Sequence, residues 1–204
     1  MHWTVVIPVK ALPEAKTRLL PATADPAAHR RLVEALRSDT REAARTADGV
    51  ARVLLVADRP GVDPEALVQR RPGLNAALVE AAAHAAATWP DDGVAALLGD
   101  LPALRPADLA AALAAAALHP RAFVPDAEGT GTTLLATRPG VPLDPAFGTG
   151  SAARHAAAAV RLRAAPGLRR DVDTAAELAE AYALGVGPAT SALLAGGEPA
   201  VRSP

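Results

Sequence analysis

The sequence predicts one α/β domain with a mostly parallel, mixed sheet and helices on both faces. Short β-branched runs alternate with longer Ala- and Leu-rich segments through the first half, the pattern of strand–helix–strand units. The runs are continuously apolar rather than alternating, so both faces of the sheet should be covered. Spacing in the second half is closer to that of hairpins, which adds some antiparallel pairing. A length of 204 residues suits a single core, and no repeat or linker divides it. The domain is expected over residues 1–188, with 189–204 as a C-terminal tail holding at most a short helix.

Trp3 to Val9 reads as the first buried strand, and the segment 10–25, with Pro13 and Pro21, as a loop. A helix follows from Ala27 to Thr46, with Leu32, Val33 and Leu36 inward. Arg52–Ala57 is the second strand. Asp63-Pro64-Glu65 opens a short helix, with Pro in the first turn. Gly73-Leu74-Asn75 turns into a helix over Ala76–Thr88. Val94–Leu98 is a third strand, and Pro106 starts a helix reaching Leu118. Ala122–Pro125 and Thr132–Thr137 flank the loop 126–131. Ser151 opens a helix to Ala159. Val160–Arg163 and Leu168–Val172 read as two more strands, and Thr174–Leu184 as a helix.

Half of the residues are apolar, yet only five are aromatic: Trp3, Trp89, Phe123, Phe147 and Tyr182. The core must therefore rest on Leu, Val and Ala. There is no cysteine, which excludes disulfides and thiolate-bound zinc and fits a reducing, cytoplasmic setting. The N-terminus lacks a signal-peptide pattern, and charged residues and prolines break the Ala-rich stretches too often for a membrane span. A net charge of −1 implies no basic face, so nucleic acid is not an expected partner. An anionic ligand would need a local cluster of cations.

Such a cluster follows the first strand. Of 21 Lys and Arg residues, the only lysines are Lys10 and Lys16, and Arg18 lies just beyond. A compact ammonium and a guanidinium fork are not interchangeable, so this usage points to point charges facing a polyphosphate. The loop contains no glycine, which excludes a Walker A loop and a dinucleotide fingerprint.

Three further loops lie where ligands of open α/β sheets bind, beyond the carboxyl ends of the strands. Gly99-Asp100 ends the third strand: the carboxylate suits Mg²⁺, and equally suits a turn. The segments 126–133 and Gly148-Thr149-Gly150-Ser151 are rich in glycine and hydroxyls. The second opens a helix, whose N–H groups favour anions, and Arg154 adds charge. Ordinary hairpin and capping roles fit both segments as well. In Arg169 to Thr174, strand alternation would put Asp171 and Asp173 on one face, whereas Thr174-Ala175-Ala176-Glu177 matches a capping box, with Asp173 starting a helix. The five histidines show no metal-ligand spacing, and surface positions are expected for His84 and His155.

Taken together, these segments resemble the 2-phospho-L-lactate or phosphoenolpyruvate guanylyltransferases of coenzyme F420 biosynthesis. The match runs through Val6-Ile7-Pro8-Val9-Lys10 with Ala15-Lys16-Thr17-Arg18-Leu19, then Gly73-Leu74-Asn75-Ala76-Ala77-Leu78. It continues through Leu98-Gly99-Asp100-Leu101-Pro102, then Gly129-Thr130-Gly131-Thr132-Thr133-Leu134-Leu135. Phe147-Gly148-Thr149-Gly150-Ser151 with His155, and Asp171-Val172-Asp173-Thr174, complete it. It spans about residues 4 to 182.

The resemblance implies a Rossmann-like nucleotidyltransferase fold akin to nucleotide-diphospho-sugar transferases. It implies that Thr133, Gly148 and Ser151 contact a phosphorylated acid and that Asp100 and Asp173 hold Mg²⁺. It places Lys10, Lys16, Arg18, Asn75 and Gly99 on the nucleotide, with Lys10, Lys16 and Asp100 catalytic. The partners implied are GTP and a small phosphorylated carboxylic acid: phosphoenolpyruvate, 2-phospho-L-lactate or 3-phosphoglycerate. Oligomeric state stays open, with a homodimer among the options. Two rivals remain: a nucleotidyltransferase for a sugar phosphate or molybdopterin, whose relatives usually carry a glycine-rich first loop, and a non-catalytic nucleotide-binding subunit, which could dispense with both metal carboxylates.

Overall fold

The computed structural model describes residues 1–9, 19, 23 and 25–195. Seven strands form one sheet: β1 (Trp3–Val9), β2 (Val50–Ala57), β3 (Leu67–Val68), β4 (Gly93–Leu97), β5 (Arg121–Pro125), β6 (Thr132–Thr137) and β7 (Val160–Arg161). Their order is β3-β2-β1-β4-β6-β5-β7. β1 pairs in parallel with β2 and β4, and β5 with β7. β6 runs antiparallel to both neighbours, β4 and β5. The chain is thus an α/β domain on a mostly parallel mixed sheet.

Period-two alternation along β1 divides the core. Trp3, Val5 and Ile7 face one layer, which also holds Leu109 and Leu113 of α3 (Pro106–Ala116) and Leu168 of α5 (Pro166–Arg169). Val6 faces the other layer, with Ala77, Leu78, Ala81 and Ala85 of α2 (Leu74–Thr88), and with Phe123 and Phe147. The alanine stripe lets α2 lie close to the sheet, so a core poor in aromatics still packs. A third cluster joins Leu32 and Leu36 of α1 (Pro26–Arg45) to Leu178 and Ala181 of α6 (Ala175–Leu184).

Asp25 caps α1 by accepting the N–H groups of Ala27 and Ala28, with Pro26 at the first position. α4 (Ser151–Ala156) is shorter than expected. α7 (Pro188–Ala195) lies on α1, and its first turn is capped across space. Asp39 of α1 accepts the N–H groups of Ala189 at 2.9 Å and Thr190 at 2.8 Å.

Two expected elements differ. Residues 63–65 form an Asx-type turn in which Asp63 accepts the Glu65 N–H at 2.8 Å, not the start of a helix. Arg41 holds both carboxylates, and the chain then pairs with the edge of β2 as β3. Residues 168–172 are not a strand. Pro166 starts the single turn α5, and Gly167 backs onto β4's outgoing loop so closely that a Cβ would lie 2.1 Å from the Ala103 carbonyl oxygen. The alternation argument for Asp171 and Asp173 therefore fails, because a helical turn and an irregular segment have replaced the strand.

Candidate active site

The carboxyl ends of β1, β2 and β4 open onto one cleft edge. Beyond β4, the Leu98 N–H donates to the Thr133 carbonyl at 2.9 Å, and the Leu101 N–H to Thr40 Oγ1 of α1 at 2.9 Å. Asp100 is fixed between these anchors, and its own carbonyl accepts the Val172 N–H at 3.1 Å. That bond docks the 171–173 segment against the end of β4, so Asp100 and Asp173 belong to adjoining segments. The cap of α6 is Thr174, not Asp173. Thr174 Oγ1 accepts from the Glu177 N–H, while Glu177 accepts the N–H groups of Asp173 and Thr174, both at 2.7 Å. Among the described residues no three His, Asp or Glu side chains converge as a ready-made metal cluster. Two hard carboxylates at this edge match a cation that takes its other oxygens from phosphates and water.

Gly99 has a packing reason of its own: a Cβ there would come within 3.1 Å of Ile7 and 3.3 Å of the Pro8 carbonyl. Arg37 of α1 lies in the field of Asp100, Glu34 and Asp58. Burial lowers its pKa, and the three carboxylates oppose that.

On the β2 side a cavity of about 560 Å³ lies between the ends of β1 to β3 and the start of α2. Pro8, Val9, Val56 and Leu74 supply apolar walls, and Asp58, Arg59 and Gln69 polar ones. Asp58 Oδ1 is buried with no hydrogen-bond partner among the described residues, an acceptor a ligand can satisfy. Glu80 of α2 accepts the N–H groups of Arg70 and Arg71, which fixes the connection rimming this cavity.

On the other side of the start of α2 from this connection, the loop 146–150 (Ala146 to Gly150) is tied to Asn75. Gly148 and Gly150 have φ of +117° and +72°, which side chains rarely adopt. Three side chains clamp the loop. Asn75 at the start of α2 donates to the Phe147 carbonyl at 3.1 Å and accepts its N–H at 2.8 Å. His155 Nε2 accepts the Ala146 N–H at 2.9 Å. Arg154 donates to the carbonyls of Ala146 and Thr149.

The helix start offers fewer free donors than the sequence implied. The Ser151 N–H goes to Gly148 O and the Ala152 N–H to Thr130 O, both at 3.0 Å. Ser151 Oγ lies 3.1 Å from Thr132 Oγ1, whereas the Thr133 hydroxyl points to Val124 O at 3.5 Å. The structure thus joins Ser151 to Thr132, with the Thr133 hydroxyl turned to β5 instead. The hairpin loop is equally ordered: Asp126 accepts from the N–H groups of Thr130 and Gly131, and Arg169 ties the carbonyls of Pro125, Asp126 and Ala127 to α5.

A search against family models finds no match. Comparison with curated proteins does. The chain is 55% identical over 208 residues to the phosphoenolpyruvate guanylyltransferase of Geodermatophilus obscurus, covering 95% of this chain and 94% of that one. The chain belongs to the phosphoenolpyruvate guanylyltransferase family. A second member of the family, from Streptomyces coelicolor, is 51% identical, with 96% and 97% covered. Among solved structures, a putative nucleotide-diphospho-sugar transferase from Desulfovibrio desulfuricans superposes with a TM-score of 0.74 at 18% identity, over 96% and 95% of the two chains. The guanylyltransferase family thus shares its fold with the nucleotide-diphospho-sugar transferases.

Of the residues expected in a guanylyltransferase site, Lys10, Lys16 and Arg18 lie outside the described residues. Asp100 and Asp173 lie on docked segments. Gly148 and Ser151 lie on the clamped loop and the helix it opens, and Asn75 has its amide on that same loop. The sequence reading placed His155 in the family motif but expected it on the surface, whereas it is 4% exposed; it gave no role to Thr132, Arg37 or Asp58. His155 and Thr132 each had a signal, the first four residues after Ser151 in the glycine-rich motif and the second beside Thr133 in the hairpin motif.

Proposed function

We propose that this chain joins GMP from GTP to phosphoenolpyruvate, giving enolpyruvyl-2-diphospho-5'-guanosine and pyrophosphate, in coenzyme F420 biosynthesis. The single observation behind this reading is 55% identity, over nearly the full length of both chains, to a phosphoenolpyruvate guanylyltransferase. In this reading the open cavity at the ends of β1 to β3 and the rigid glycine-rich loop form two walls of one cleft, with Asp100 at the strand end between them.

In this reading guanine enters the cavity beside Asp58 and Gln69. The buried carboxylate oxygen suits the N1–H and 2-amino donors of guanine, an edge adenine lacks. Lys10, Lys16 and Arg18 face the triphosphate, and Gly99 lets it approach the chain. The acid's anionic groups meet Gly148, Ser151 and the segment of Thr133. Asp100 and Asp173 would hold Mg²⁺, which when bound neutralises phosphate charge. An oxygen of the acid's phosphate attacks the α-phosphorus of GTP. The bond to the β-phosphate breaks, and pyrophosphate leaves. The substrate supplies its own nucleophile, so the residues act by positioning and charge neutralisation rather than as a general base.

The test is pyrophosphate release measured with GTP or ATP against phosphoenolpyruvate, 2-phospho-L-lactate, 3-phosphoglycerate and a hexose 1-phosphate. Release with GTP and phosphoenolpyruvate, and little with ATP, is expected. Release with the sugar phosphate alone would overturn the reading.

A further inference from the structure

His155 is buried at 4% exposure between Phe147 and Phe123, with ring centroids 5.2 and 6.0 Å away. Its two nitrogens have different partners, and these fix its proton. Nε2 is 2.9 Å from the Ala146 N–H, which can only donate, so Nε2 carries a lone pair. Burial, then the charges of Arg154 and Arg121, push the imidazole pKa down to about 4 against the opposing pull of Asp144. The ring is therefore neutral near pH 7, and its one proton is on Nδ1. Thr132 Oγ1, 2.8 Å away, must accept it.

Thr132 is also the partner of Ser151, which donates to Oγ1 at 3.1 Å. Both lone pairs of Thr132 are then occupied, and its own O–H has no acceptor among the described residues. Thr132 and Ser151 are 3% and 1% exposed, so a wasted donor here is costly. A second arrangement of the same heavy atoms removes the defect. Thr132 donates to Ser151 Oγ, and the Ser151 proton turns outward. That arrangement needs an acceptor outside, and an anionic oxygen held over Gly148 supplies one.

We propose that His155 and Thr132 are positioning residues that aim the Ser151 hydroxyl proton at the phosphorylated acid. The chain of donors runs His155 Nδ1–H to Thr132 O–H to Ser151 O–H to the anion. No proton is transferred; two hydroxyls rotate. Each link polarises the next, and the terminal bond to a charged acceptor is the strong one. His155 also fixes Ala146, so the same ring sets both the donor and the loop that seats the acceptor. This proposal rests on the reading that Ser151 contacts the acid.

The experiment compares Thr132→Val, Thr132→Ser, Ser151→Ala and the double variant Thr132→Val/Ser151→Ala. Phosphoenolpyruvate and GTP are titrated separately by calorimetry, with KM and kcat for each. Ser151→Ala should weaken phosphoenolpyruvate roughly ten- to hundredfold, the range for a hydrogen bond to a charged group. Thr132→Val should weaken it at least about fivefold in the parent and not further in the Ser151→Ala background. Thr132→Ser should restore it, and GTP affinity should stay within about twofold throughout.

Unchanged acid affinity in Thr132→Val, or full additivity with Ser151→Ala, overturns the relay while leaving the acid site in place. Unchanged acid affinity in Ser151→Ala overturns the acid-site reading itself. A measurement on the parent protein is independent of variant folding: ¹⁵N NMR of labelled histidine should show His155 as the neutral Nδ1–H form from pH 5.5 to 8. An Nε2–H form, or titration near its ordinary value of 6.5, contradicts the relay.

Discussion

The two walls proposed for the cleft are built on opposite principles. The loop 146–150 is held at Ala146, Phe147 and Thr149 by Asn75, His155 and Arg154, so its backbone is fixed before any ligand arrives. The wall at the ends of β1 to β3 is a cavity of about 560 Å³, with a buried carboxylate oxygen awaiting a donor. A small anion offers little area, and its affinity must come from a site that loses no entropy on binding. A nucleotide brings a large aromatic base and three phosphates, so its wall needs less rigidity.

The comparison can be broken most sharply at its midpoint. Asp100→Asn keeps the volume and removes the charge. Turnover should fall by about 10² or more, with the midpoint of thermal unfolding nearly unchanged. Near-parental turnover would remove Asp100 from the metal site. Next come the lysines. Lys10→Arg and Lys16→Arg should each lower kcat/KM for GTP about tenfold, because a guanidinium fork does not replace a compact ammonium. Parental steady-state kinetics in both would make the lysine usage an accident of composition.

Asn75 separates the walls. Among the described residues its amide bonds the loop 146–150 alone, although it stands at the edge of the cavity proposed for the nucleotide. Asn75→Ala should therefore raise KM for the acid about five- to tenfold and change KM for GTP by less than about threefold. A rise confined to GTP would return Asn75 to the nucleotide, where the sequence placed it.

The smallest effect is on stability. His155 has a folded pKa of about 4, below its ordinary 6.5, so the unfolded chain binds the proton first. The neutral ring's contribution is complete above pH 6.5 and is lost as pH falls toward 4, at no more than about 1.4 kcal/mol per pH unit. Urea unfolding from pH 7 to 4.5 should show a shallower loss in His155→Phe than in the parent. Equal slopes would mean the ring is not held neutral.

Much of this was legible in the sequence. Short apolar runs located β1, β2, β4, β5 and β6, because burial on both faces needs unbroken apolar stretches. The misses arose where tertiary contact overrides local pattern. Leu67–Val68 is captured by the edge of β2, and Gly167 is pressed onto Ala103, which no window of sequence reveals. The sequence reading named Thr133, and the hydroxyl that meets Ser151 is that of Thr132. Pairing jumps from Val124↔Leu134 to Pro125↔Thr132, leaving Thr133 as the extra residue, and such an irregularity reassigns which hydroxyl faces the loop. His155 looked exposed because a six-residue, alanine-rich helix carries no readable periodicity.

The most direct measurement of the two-wall account is calorimetric titration of GTP and phosphoenolpyruvate, separately, into Gly148→Val. At φ +117° a β-branched residue strains the loop and fills the approach to it. The account predicts that phosphoenolpyruvate affinity falls by at least about a hundredfold, while GTP binds within about twofold of the parent. Loss of GTP with retained phosphoenolpyruvate would mean that the walls have been assigned the wrong way round.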